Sequence, residues 1–207
     1  MQIQSSIHIL FHLATKIKWI SETELITSMN FDYLQHIKYI DPSFEINYPT
    51  SVSGICQDYL IIFCCSFLDE FEKVFTISQF PIHTDRILKL KKITLPAYKQ
   101  IKKWKDLKKI RNNIIAHNHR IQKKSIFDHT EKVKYNIPTT NEEYTLLADL
   151  IFLIAEKIYF VFPEMIEKLD LNMSLRDHLT LVSDKLDSIK VFIRIKQEIE
   201  QEIENNL

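Results

Sequence analysis

Arg111-Asn112-Asn113-Ile114-Ile115-Ala116-His117 places a permanently charged guanidinium six residues ahead of an imidazole. A guanidinium neutralises phosphate oxygens through a rigid fork of N–H donors, and an imidazole with an ordinary pKa of about 6.5 moves a proton at neutral pH. The pair suits phosphate chemistry, with Arg111 stabilising developing negative charge and His117 acting as general acid or base. Each residue taken singly also has a structural role open to it. Arg111 would pair with a carboxylate, Glu70 or Asp69, and His117 would close a helix near its negative end. On an ideal wheel of about 100° per residue, Trp104, Leu107, Arg111 and Ile114 share one arc, so the guanidinium stands among apolar positions and needs a partner. His117 lies about 120° from Arg111 in an unbroken helix, and an end or bend near Ala116 would let both reach one cleft.

The surroundings of this segment are basic. The chain carries 27 Lys/Arg and 27 Asp/Glu, yet residues 83–134 hold sixteen of the former and four of the latter, a net +12. The remainder, with eleven against twenty-three, is net −12. A positive region around the motif is what a phosphate-bearing partner requires, and acidic surface elsewhere favours one local contact patch over general coating of nucleic acid. The plainer alternative is that Lys102, Lys105 and Lys109 form a solvated helix face.

Other chemistries are excluded by composition. A single glycine, Gly54, leaves no room for a glycine-rich phosphate loop of Rossmann or Walker type. The three cysteines, Cys56, Cys64 and Cys65, lie in an apolar run without zinc or disulfide spacing and read as reduced core residues. Neither a metal site nor a cofactor is expected. His8 and His12 interrupt the N-terminal apolar stretch, which argues against a signal peptide, and the apolar runs at 59–68 and 150–155 are too short to span a bilayer. A soluble, cytoplasmic protein is expected.

The elements that must position the motif are helices. Ile3, Ile7, Leu10, Ala14 and Ile17 recur at helical spacing and predict a first helix to about Ile20. Ser21 with Glu24 reads as a capping box for a second helix through Leu25, Met29 and Ile37 to Asp41-Pro42. A third, mostly apolar and central, spans about 55–76, with Pro81 closing it. A short basic helix at about 86–92 precedes Thr94-Leu95-Pro96, a helix-start signal, and the helix so started ends near His117. A basic loop leads to Thr140 and Glu143, a second capping box, before an apolar helix through Phe162 that Pro163 kinks or breaks. Leu175, Leu179, Val182, Leu186, Ile189 and Ile193 form a seam at heptad-like steps, read as a core-facing helix or as a coiled-coil dimer arm. No strand alternation is strong enough to predict a strand. The expectation is an all-α helical bundle, a single domain over 1–207 with a C-terminal helix at about 174–204.

With the elements in place, the motif resembles the Arg-x(4–6)-His signature of HEPN domains, with Asn112 matching the usual polar residue after the arginine. The acidic end of the third helix, Phe67-Leu68-Asp69-Glu70-Phe71, ahead of a helix ending in the motif, fits the same pattern. The resemblance covers about 55–170. It implies an up-and-down helical core and a homodimer that brings two Arg/His pairs into one cleft. It further implies a metal-independent endoribonuclease in which the RNA 2′-hydroxyl attacks the adjacent phosphorus, leaving a 2′,3′-cyclic phosphate. By carry-over, Arg111, His117 and Asn112 are catalytic, while Arg120, Lys123 and Lys124 would track the RNA backbone. The family also implies a toxin or antiphage defence setting, with an antitoxin or defence-system partner. Family toxins paired with a nucleotidyltransferase carry a modifiable tyrosine two residues after the motif histidine. Here that position is His119, so tyrosine modification is not expected. The alternatives are a non-catalytic module binding nucleotide, RNA or protein, and a structural helical dimer in which Arg111 is a buried ion-pair residue.

Overall fold

The computed structural model describes residues 3–29, 37–38, 45–46, 48–115, 120–121, 124–125 and 134–166, with side chains for 3–23, 53–113 and 134–166. By internal packing the chain divides into Met1–Leu169 and Asp170–Leu207, and every described residue belongs to the first unit. The seam from Leu175 to Ile193 lies outside the described residues.

The described architecture is an all-α bundle. Its elements are α1 (Ile3–Met29), α2 (Tyr48–Asp69) continued by a π-helical turn (Glu70–Val74), α3 (Thr84–Ile101), α4 (Leu107–Ile110) continued by a second π-helical turn (Arg111–Ile115), α5 (Asn141–Val161) and α6 (Pro163–Ile166). Two antiparallel ladders of two residues per strand, β1 (Ile37–Lys38) with β2 (Glu45–Ile46) and β3 (Arg120–Ile121) with β4 (Lys124–Ser125), are the only extended pairings among the described residues. Helix α1 packs on α2 and α5, and α3 packs on α5. The stripes Ile7, Leu10, Ala14 and Ile17 of α1, Leu147, Ile151, Ile154 and Ile158 of α5, and Ile87, Leu90, Thr94, Ala97 and Ile101 of α3 are buried at three- and four-residue steps. Phe67, Phe71 and Phe75 stack as a column along α2 and its π turn, with centroids 6.0 and 6.3 Å apart.

Three boundaries differ from the sequence reading. Ser21 does not start a second helix. It is buried within a continuous α1, at the next four-residue step of the packed stripe after Ala14 and Ile17. Pro96 likewise does not start a helix but sits inside α3. Proline costs only its own N–H bond to the Lys92 carbonyl and some local crowding, whereas Ile87, Leu90, Thr94, Ala97 and Ile101 hold the helix against the core on either side of it. Thr94, a residue of the supposed start signal, is buried and donates its hydroxyl to the Leu90 carbonyl at 2.9 Å.

The third difference is a break where an unbroken helix to His117 was expected. Residues 102–106 form a turn anchored by the buried Trp104. Asn136 pins it: its side-chain Oδ1 accepts from the Lys105 N–H at 3.0 Å and its carbonyl from the Asp106 N–H at 3.1 Å, while its own N–H donates to Asp106 Oδ2 at 2.8 Å. These bonds replace the partners that a continuing helix would supply. The second capping box agrees with expectation. Thr140 Oγ1 accepts from the Glu143 N–H at 3.3 Å, and the Glu143 carboxylate reaches back to the Thr139 N–H at 2.7 Å. Helix α5 stops at Val161, ahead of Pro163, as the proline predicts. No helix among the described residues is long and apolar enough to cross a membrane.

Candidate functional site

Asp69, the last residue of α2, and Arg111, the first of the π turn after α4, meet with Nη1 and Oδ2 at 2.9 Å. Both members of the pair border π-helical turns, where one extra residue per turn re-aims the side chains that follow. Such turns are rare and gather at functional sites. Arg111 is also tied to its neighbour, donating from Nε to Asn112 Oδ1 at 2.9 Å. The guanidinium is thus held at two corners of its fork, and among the described residues Nη2 makes no hydrogen bond.

The phase of α2 explains which acid does the pairing. Asp69 and Glu72 are three residues apart and share the face turned to α4, and Lys108 and Arg111 answer them at the same spacing. Lys108 Nζ bridges the two acids, 2.9 Å from Asp69 Oδ1 and 3.0 Å from Glu72 Oε2. Lys73 adds a contact of 2.8 Å to Asp69 Oδ1, and Lys102 one of 3.3 Å to Glu72 Oε1, which also accepts from the Tyr98 hydroxyl at 3.1 Å. Of the two partners the sequence suggested for Arg111, Asp69 is the one that pairs, whereas Glu70 accepts a hydrogen bond from Ser6 of α1.

The electrostatics follow from this geometry. Burial alone would raise the Asp69 carboxyl, but hydrogen bonds from Lys73, Arg111 and Lys108 overcome it and hold the group well below the usual carboxylate range. Glu72 is lowered in the same way, burial being outweighed by Lys108 and Lys102. Lys108 is raised, its two carboxylates prevailing over its desolvation. Beneath the cluster, burial pushes the Cys65 thiol up to about 11 in spite of Arg111 and Lys108 nearby, so it stays a protonated core group. Four cations therefore surround two carboxylates, and the cluster keeps a net positive charge. It is not sealed: the Arg111 and Asp69 side chains retain 22% and 27% of their exposure.

Of the residues expected to form the site, Arg111 and Asn112 are described and joined to each other. His117, His119 and Lys123 lie outside the described residues. Arg120 and Lys124 are placed by backbone only, on opposite strands of the β3–β4 ladder, where Arg120 pairs with Ser125 and Ile121 with Lys124. Sequence reasoning left out Lys108, Glu72, Lys73 and Tyr98. The signal for the first two was present as matched spacing, acid at 69 and 72 against base at 108 and 111. Among the described residues no group of three or more His, Cys, Asp or Glu is placed to hold a metal ion. No family model matches this chain, and neither a curated protein nor a solved structure matches it.

Proposed function

We propose that this protein is a metal-independent endoribonuclease of HEPN type, with Arg111 and His117 as its catalytic residues and Asn112 holding Arg111. In this reading the 2′-oxygen of the substrate forms a new bond to the adjacent phosphorus and the bond from phosphorus to the 5′-oxygen breaks. The 2′-hydroxyl gives up its proton and the departing 5′-oxygen gains one, with His117 carrying one of these transfers. The products are a 2′,3′-cyclic phosphate and a 5′-hydroxyl. The attacking group belongs to the RNA itself, so the chain has to supply only charge stabilisation and proton transfer.

The observation that carries the reading is Arg111 itself, held at 2.9 Å by Asp69 and at 2.9 Å by Asn112 at a part-exposed position. A guanidinium held through Nε and Nη1, with Nη2 unbonded among the described residues, is pre-organised to meet a phosphate oxygen, because little rotamer freedom is left to lose when charge develops. Lys108 and Lys102 beside it raise the local positive potential. A homodimer joining two such sites, Arg120, Lys123 and Lys124 as RNA contacts, and a toxin or antiphage role belong to the same proposal through the family resemblance.

A second reading has its own support. Three cations converge on Asp69, and a network of that kind also serves as a tie between α2 and α4. Cleavage of a labelled single-stranded RNA and its DNA counterpart, in EDTA, by wild-type and Arg111→Ala/His117→Ala protein separates the two. The ribonuclease reading expects RNA to be cut by the wild type alone, and DNA by neither. Intact RNA with both proteins favours the tie.

A further inference from the structure

Between Asp85 and Asp106 the chain has no acidic residue, and within that stretch stand eight Lys/Arg. Most of α3 and the turn after it lie in this interval. Two uses of the cations can be told apart. Arg86 is consumed at the end of α5, donating to the Val161 carbonyl and to Glu164; Lys91 lies over the Phe71 ring, 3.5 Å from its centroid; and Lys102 is paired with Glu72. Lys92, Lys99, Lys103 and Lys105 are exposed and have no ion-pair partner among the described residues, and Lys89, also exposed, meets only the Phe160 ring, 5.5 Å from its centroid.

A merely solvated helix face gains stability from acids three or four residues from its lysines, and like charges at those spacings cost it. Here Lys89 and Lys92, and Lys99 and Lys103, repel at three- and four-residue spacing with no acid between them. The arrangement is unfavourable for the free helix and becomes favourable when a polyanion lies along it. The ridge is also continuous with the Arg111 cluster. At the C-terminal end of α3 Lys102 binds Oε1 of Glu72, and Lys108 binds Oε2 of the same carboxylate. From Lys89 to Lys99 the helical part of the ridge runs about 15 Å at 1.5 Å per residue, enough to pass two or more phosphates, and Lys103 follows in the turn.

We infer that the lysine ridge of α3 and the turn after it, comprising Lys89, Lys92, Lys99 and Lys103, is a track for the phosphodiester backbone of single-stranded RNA that delivers the strand to Arg111. The choice of RNA among polyanions rests on the ribonuclease reading. The track lies on a different element from Arg120, Lys123 and Lys124, and it binds without regard to base identity, since it contacts phosphates alone.

The test is fluorescence anisotropy with a labelled twelve-nucleotide single-stranded RNA, across a salt series. The full-length protein carries His117→Ala to prevent cutting, with or without Lys92→Gln/Lys99→Gln/Lys103→Gln. Each phosphate contact contributes a slope of about 0.7 in log K against log salt. The triple variant should therefore show a slope shallower by about 2 and an affinity lower on the order of a hundredfold at 0.1 M salt. Circular dichroism checks that it remains folded, and Lys157→Gln, on α5, should bind as the parent does. Unchanged affinity and slope in the triple variant would overturn the track, as would weakening confined to vesicles rich in phosphatidylserine. Cleavage by protein with native His117 is scored separately. RNA cut by the wild type beside unchanged binding in the triple variant sinks the track and spares the ribonuclease, whereas lost binding without any cleavage does the reverse.

Discussion

Asp69 holds three cations, and its protonation is the event that would release them. Its carboxyl is lower in the folded chain than in the unfolded one, where it titrates at about 3.9. As pH falls, the unfolded chain takes up that proton first, so the stability contributed by Asp69 is complete above about pH 5 and is lost as acid titrates the folded group. The thermal midpoint should therefore fall on acidification below about pH 4, and Asp69→Asn should flatten that fall. At neutral pH the same substitution leaves Arg111, Lys108 and Lys73 to repel one another and should destabilise by about 1–2 kcal/mol, a figure kept small by the partial exposure of the pair. A guanidinium marooned among apolar positions was legible from the helical wheel, as was its need for an acid at the end of α2. Which acid answers it was not. A π turn beginning at Glu70 changes the phase from that residue onward, and periodicity of 3.6 cannot anticipate it.

Helices were legible wherever an apolar stripe is long, as in α1, α2 and α5, because burial of one face outweighs every local signal along it. Local signals failed where tertiary packing opposed them. Pro96 is exposed inside α3 and leaves the Lys92 carbonyl without its helical donor. Pro96→Ala restores that bond, and after the loss of proline's restraint on the unfolded chain it should stabilise by about 1–2 kcal/mol, seen as a rise of several degrees in thermal midpoint. A fall would show that the helix needs its proline. Lys91 also binds α3 to the π turn after α2, donating to the Phe71 carbonyl and lying over the rings of Phe71 and Phe75. Burial pulls its ammonium down to about 8, against the attraction of Glu72. Lys91→Ala removes a desolvated cation–π contact and orphans a carbonyl at a helix end, so chemical denaturation should show a loss of about 2 kcal/mol. The turn at 102–106 was illegible for a different reason: Asn136, which holds it, lies some thirty residues further along the chain.

Over the whole chain, neutrality conceals a division of labour. Helix α5 and its flanks expose Glu142, Asp149, Glu156 and Glu164, whereas α3, α4 and the turn between them expose Lys89, Lys92, Lys99, Lys103, Lys105 and Lys109. Inside that basic region two carboxylates, Asp69 and Glu72, anchor the cations nearest the core, so that Arg111 is fixed in place without being neutralised by a closed interior. On the proposed ribonuclease reading, Arg111 is held for use on a phosphate and not for the sake of the fold. Arg111→Lys separates the two roles, because lysine keeps the charge that pairs with Asp69 but loses the planar fork that can bond Asp69, Asn112 and a phosphate oxygen at once. Single-turnover cleavage of a single-stranded RNA and the thermal midpoint should be measured on the same preparation. The expected outcome is a rate lower by about a hundredfold or more, with a midpoint within a few degrees of the wild type. A rate equal to wild type, or a rate that falls only as far as the folded fraction does, would contradict it.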